Sequence, residues 1–184
     1  MERKLLTPEE QIVLLRLARQ KLSAYLNDQA FNPSPEQFPA SFQPKCSCFV
    51  TYHCHGSLRG CVGSIYPELP LYEEVLHNAV SAACDSRFDP IDKIELEHLR
   101  VEISVLSPIR QIASLDEFEL GKHGIIVSLH GRRAVYLPQV AVEQGWDKKT
   151  TLQHLCQKAG LASNSWKQKE ACFFIFTTQI CEEV

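Results

Sequence analysis

The residues best equipped for chemistry lie in one short run, Leu58-Arg59-Gly60-Cys61-Val62-Gly63. Gly60 and Gly63 bracket Cys61, and glycine lets a backbone adopt unusual angles and approach a ligand closely, so this turn can direct N–H groups at an anion. Arg59 stands two residues from Cys61. On a strand that spacing puts both side chains on one face, where the guanidinium favours the thiolate and prepares Cys61 as a nucleophile or covalent carrier. The same letters also read as structure alone, because cysteine is a small buried hydrophobe and paired glycines make a bulge or a bend.

Around this run stand other polar groups. Asp85, Ser86 and Arg87, with Asp89, form a charged loop that can orient Arg59 or bind a polar ligand, or can simply be solvated. Glu102, on the polar face of a strand, and His123, between Gly121 and Gly124, are candidate acid or base groups. His53, Cys54 and His55 beside Cys46 and Cys48 are zinc-type ligands, but Cys46 and Cys54 lie about 26 Å apart along a strand at roughly 3.3 Å per residue. No Cys-x-x-Cys pair occurs. No metal site is therefore expected, and nothing specifies a cofactor.

These groups must be positioned by regular elements. Thr7-Pro8-Glu9-Glu10 is a capping box that starts a helix running through Asn27, with Ile12, Leu15, Ala18, Leu22, Tyr25 and Leu26 at helical spacing. Pro33, Pro35, Pro39 and Pro44 make Asp28 to Lys45 irregular. Cys46 to His55 alternates as a strand, and Gly56-Ser57 turns it into a hairpin whose second arm carries Cys61. A two-residue loop puts Cys61 on the face of Val50 and Tyr52; a three-residue loop puts it on the face of Thr51 and His53, the arrangement that offers it an imidazole.

Leu71 to Cys84 reads as a helix that delivers the Asp85 loop. Leu99 to Val105 alternates as a half-buried strand. Gly124–His130 and Arg133–Leu137 form a second hairpin candidate around Gly131, Asp147 opens a helix that stops at Gly160, and an apolar strand runs from about Ala171 to Ile180. Hairpins separated by single helices predict an α/β chain of the α+β type, with a largely antiparallel or mixed sheet and flanking helices.

The chain of 184 residues suits one domain. Its 19 Lys and Arg against 22 Asp and Glu give a net charge of -3, without the positive surplus that nucleic-acid binding needs. Met1 to Leu6 carries charge in place of an apolar signal core, and the longest apolar run, Ala171 to Phe176, is too short to span a bilayer. The eight cysteines are accordingly expected as reduced thiols in a cytoplasmic protein that enters no membrane.

The string Leu58-Arg59-Gly60-Cys61-Val62-Gly63 resembles the hexapeptide signature of the AMMECR domain family, also called AmmeMemoRadiSam system protein A. Asp85-Ser86-Arg87-Phe88, Glu102-Ile103-Ser104-Val105-Leu106-Ser107-Pro108, Leu137-Pro138-Gln139-Val140-Ala141, Gly145-Trp146-Asp147 and Lys158-Ala159-Gly160-Leu161 resemble the family's pattern in order. Val62 stands where isoleucine is usual, and His123 departs from the expected acidic or small residue. The resemblance spans nearly the whole chain as one AMMECR-type domain. It implies two unequal lobes with the signature turn near the groove between them, and no defined reaction. It also implies two partners, a Memo-like protein similar to extradiol dioxygenases and a radical SAM protein. The resulting expectation is a small-molecule or modified-residue site built on Cys61 and Arg59, with Gly60, Gly63, Asp85, Ser86, Arg87 and Glu102 binding a small anionic ligand. The alternative is a noncatalytic adaptor that uses the same turn for docking.

Overall fold

Thr7 starts the first helix by chemistry visible in its letters. Its hydroxyl accepts from the Glu10 amide, the Glu10 carboxylate accepts from the Thr7 amide, and Pro8 occupies the first turn, where no N–H is required. Helix α1 then runs Pro8–Leu26 and buries Leu14, Leu15, Leu17, Ala18 and Leu22. The computed structural model describes residues 5–183.

The proline-rich segment that follows is irregular as expected, holding two short 3-10 turns, Pro35–Gln37 and Ala40–Phe42, with Phe42 fully buried. Strand β1 (Cys48–Cys54) turns through His55 and Gly56, both at positive φ, into β2 (Ser57–Gly63). Helix α2 (Leu71–Ala83) starts after Pro70, and β3 (Leu99–Leu106) follows the loop beyond it. The remaining elements are β4 (Arg110–Ile112), β5 (Gly124–Leu129), β6 (Arg132–Tyr136), α3 (Pro138–Glu143), α4 (Lys148–Lys158), β7 (Cys172–Phe176) and β8 (Thr178–Glu182). No described helix is long and apolar enough to cross a membrane.

The fold is α+β, with two antiparallel four-stranded sheets ordered β2-β1-β3-β8 and β4-β7-β5-β6. Two compact units result. One reaches Leu106 and resumes at Gln179; the other is Ser107–Thr178. In the first, alternate residues Cys48, Val50 and Tyr52 of β1 and Val101, Ile103 and Val105 of β3 join α1 and α2 in one buried cluster. The Tyr52 hydroxyl lies in that cluster and donates to the Ala79 carbonyl at 2.8 Å, so α2 is fixed to the sheet by a satisfied polar contact as well as by apolar burial.

In the second unit, Leu152, Leu155 and Cys156 of α4 pack with Ile125, Val127, Phe173 and Ile175 of the sheet. Asp147 caps α4 by accepting from the Thr150 amide. The expected final strand is instead two strands in different sheets. Phe173, Ile175 and Phe176 are buried in the second sheet, whereas Thr177 is exposed and the chain then enters the first as β8. An apolar run followed by a polar step can continue straight or change sheets, and only the location of the partner strands decides which.

Candidate functional site

Hairpin register determines what Cys61 faces. Cys54 pairs with Ser57 and His53 with Leu58, which is a two-residue loop, but Tyr52 pairs with Gly60 and Thr51 with Cys61. Arg59 is thus the extra residue of a β-bulge. The bulge moves Cys61 from the face of Val50 to that of Thr51, so a short loop delivers the side-chain placement that a longer loop would have given.

On that face Thr51 lies opposite Cys61 on one side and Glu102 on the other. The Thr51 hydroxyl donates to the Cys61 sulfur at 3.2 Å, and His53 Nε2 is 3.5 Å from the Glu102 carboxylate. Burial pushes the Cys61 thiol up from its ordinary value, and the Glu102 and Asp85 charges push the same way; the Thr51 hydroxyl and the Arg87 guanidinium pull against them. The net direction is toward the neutral thiol, the reverse of the activation expected from Arg59.

Arg59 is engaged elsewhere. Its guanidinium holds the Glu95 carboxylate through Nε at 2.7 Å and Nη2 at 2.8 Å, and donates to the carbonyls of Asp89 at 2.6 Å and Pro90 at 3.2 Å. Glu95 in turn caps its own short turn, accepting from the Asp92 amide at 2.8 Å. Arg59 therefore ties Asp89 and Pro90 to Glu95 within the loop that follows Asp85, and its hydrogen bonds hold the Glu95 carboxyl below the usual range. Glu95 was absent from the sequence-based candidates. Its available signal was the Asp92-x-x-Glu95 capping spacing.

Strand β2 is an edge of its sheet, and its outward main chain is met by side chains. The Cys61 N–H donates to Asp85 Oδ2 at 3.0 Å, and the Cys61 carbonyl accepts from Arg87 Nη2 at 3.2 Å. Asp85 and Arg87 are themselves joined, Nη2 to Oδ2 at 2.6 Å, and Asp85 also accepts from the Arg87 amide at 3.1 Å. At Cys61 the pair fills the hydrogen-bonding positions of a neighbouring strand, which blocks pairing at that point of the edge. Arg87 foremost, then the two amides, holds the Asp85 carboxyl well below the usual carboxylate range.

The glycines serve this arrangement. A side chain at Gly60 would overlap the Ala82 carbonyl at the end of α2, and one at Gly63 would overlap Phe49 and the Cys48 carbonyl. They admit protein, where the sequence had suggested a ligand.

Beside this arrangement lies a shallow, solvent-open cleft of about 570 Å³ lined by Arg59, Ser86, Arg87, Phe88 and Asp89. Cys61, Gly60, Gly63, Asp85 and Glu102 do not line it. The Arg87 side chain is 58% exposed, its Cζ lies 5.6 Å from the Phe88 ring centroid, and its Nη1 has no hydrogen-bond partner among the described residues. His123 belongs to the Ser107–Thr178 unit, where its Nδ1 accepts from the Glu119 amide. Among the described residues, no three His, Cys, Asp or Glu side chains are grouped so as to hold a metal ion.

Comparison with known proteins adds a family. The AMMECR1 family model matches residues 15–181. The chain is 37% identical to Protein MJ0810 of Methanocaldococcus jannaschii, over 98% of this chain and 94% of that one. It is 38% identical to Protein MK0488 of Methanopyrus kandleri, over 97% and 90%. Among solved structures, that of the uncharacterized protein PH0010 from Pyrococcus horikoshii superposes with a TM-score of 0.91 at 33% identity, covering 97% of this chain and 93% of that one.

Proposed function

This chain belongs to the AMMECR1 family, and on that premise we propose that it is a recognition module whose docking surface is the Ser86–Asp89 loop, with the Cys61 strand as its rigid support. The observation that carries this reading is a division of roles. Gly60 and the Cys61 main chain hold the loop in place without lining the cleft, Ser86, Phe88 and Asp89 line it, and Arg59 and Arg87 do both. An exposed arginine beside an aromatic ring is the composition of interface hot spots. The occupants implied by the family resemblance are the Memo-like and radical SAM proteins.

The test is titration of the purified Memo-like protein of the same organism against this chain. Phe88→Ala should weaken binding about tenfold or more, and Cys61→Ser should leave it unchanged. Binding that depends on Cys61 and ignores Phe88 defeats the reading.

A second reading, a small-molecule or modified-residue site with Cys61 as nucleophile, is favoured by one observation: the bulge places Cys61 on the face that carries Thr51, His53 and Glu102. A Cys61 that alkylates faster than free cysteine at neutral pH would support it.

A further inference from the structure

Independently of the docking reading, we propose that the imidazoles of His55 and His98 form a site for one zinc ion at the end of the first unit's sheet. Strand pairing brings the two together. Cys54 opposite Leu99 is the last pair of the β1–β3 ladder, and His55 and His98 are the next residues outward on each chain segment. Their ring centroids lie 5.1 Å apart at an interplanar angle of 32°, and both residues are exposed. Neither ring has a hydrogen bond or ion pair among the described residues. Other histidines are engaged: His53 meets Glu102, His77 meets Asn78 and His123 meets the Glu119 amide.

The separation of the rings is the one that shared ligation requires. An ion about 2.1 Å from a ring nitrogen lies about 3.2 Å from that ring's centroid, so two imidazoles at the tetrahedral angle have centroids about 5.2 Å apart. The stacked pair in this chain is closer and flatter, His154 and Trp146 lying 4.2 Å apart at 18°. The main chain on both sides is already fixed. His55 occupies a positive-φ position in the tight turn with Gly56, and the His98 amide donates to the Glu95 carbonyl at 2.8 Å, in the turn that Arg59 holds through the Glu95 carboxylate. An ion therefore has only two side chains to order when it binds.

Ligand type selects the ion. Imidazole nitrogens suit zinc, whereas magnesium and calcium take oxygen ligands. Among the described residues no third His, Cys, Asp or Glu joins the pair, so the protein supplies two ligands and the other positions are open to water or to a ligand atom of another molecule. No spacing motif announces such a site, because His98 reaches His55 only through the register of β3 on β1.

The experiment is calorimetric titration of the full, reduced chain with zinc chloride, with the histidine ring-proton resonances followed in parallel. Zinc should bind saturably at one ion per chain and shift the resonances of His55 and His98 together. His55→Asn, which suits the positive-φ turn position, and His98→Asn should each weaken binding about tenfold or more. Cys84→Ser removes an exposed thiol and should leave binding unchanged, and magnesium chloride should not bind saturably. Absence of saturable binding at millimolar zinc, binding that survives either histidine variant, binding lost with Cys84→Ser, or equal binding of magnesium overturns the inference.

Discussion

Asp85→Ala removes the keystone of the β2 edge. Asp85 is 7% exposed, and its carboxylate accepts from the main-chain N–H groups of Cys61 and Arg87 at 3.0 and 3.1 Å, besides pairing with the Arg87 guanidinium. Each part-buried donor left without an acceptor costs about 1–3 kcal/mol, reduced where water can enter. The Arg87 side chain is 58% exposed and rehydrates, so losing the ion pair itself adds little. The expected total is about 2–3 kcal/mol. The pH dependence has a defined sign. Asp85 is held below its unfolded value of roughly 3.9, so its contribution is complete above that pH and disappears as the pH falls through it toward the folded value. The wild-type advantage should therefore be constant from about pH 8 to pH 5 and shrink below roughly pH 4. Urea unfolding followed by far-UV circular dichroism measures it, because both tryptophans, Trp146 and Trp166, lie in the other unit and would report on that unit. Exchange of the Cys61 amide supplies the local readout. A loss below about 0.5 kcal/mol, or an undiminished difference at pH 3, refutes the reasoning.

Gly60→Ala should cost about 2–3 kcal/mol in the same unfolding assay, since the added methyl would overlap the Ala82 main-chain carbonyl. Arg59→Ala should speed amide exchange across residues 89–95, and Arg59→Lys should not restore protection, because a single ammonium cannot hold the Glu95 carboxylate and two carbonyls as the planar fork does. Cys61 should alkylate with iodoacetamide more slowly than free cysteine at neutral pH, and Thr51→Val should slow it further by removing the hydroxyl that favours the thiolate.

The local elements were legible because their signals are local. Thr7 and Glu10 cap α1, Pro70 precedes α2, and alternation marks β1 and β3, each within a few residues of the feature it specifies. Arg59 and Cys61 could not be read the same way. Their side-chain directions depend on a bulge whose position reflects pairing with β1 and the approach of α2 to Gly60. Helix α3, Pro138–Glu143, went unseen because its six residues are too few to establish a period. The separation of β7 from β8 was hidden for the opposite reason: the apolar pattern runs on to Phe176, and the change of sheet at Thr177 is imposed by partners distant in sequence.

A cysteine between glycines beside an arginine invites a nucleophile, yet each part has an identifiable structural partner. Gly60 makes room for the Ala82 carbonyl, the Cys61 main chain meets Asp85 and Arg87, and Arg59 closes on Glu95 and the carbonyls of Asp89 and Pro90. The two strings Leu58–Gly63 and Asp85–Phe88 thus form one latch in which each requires the other. A change in either should disturb the same loop, whose Ser86, Arg87, Phe88 and Asp89 line the open cleft. Under the docking proposal, a change in the latch should weaken binding as a change in the cleft-lining residues does, because the latch sets where those side chains point.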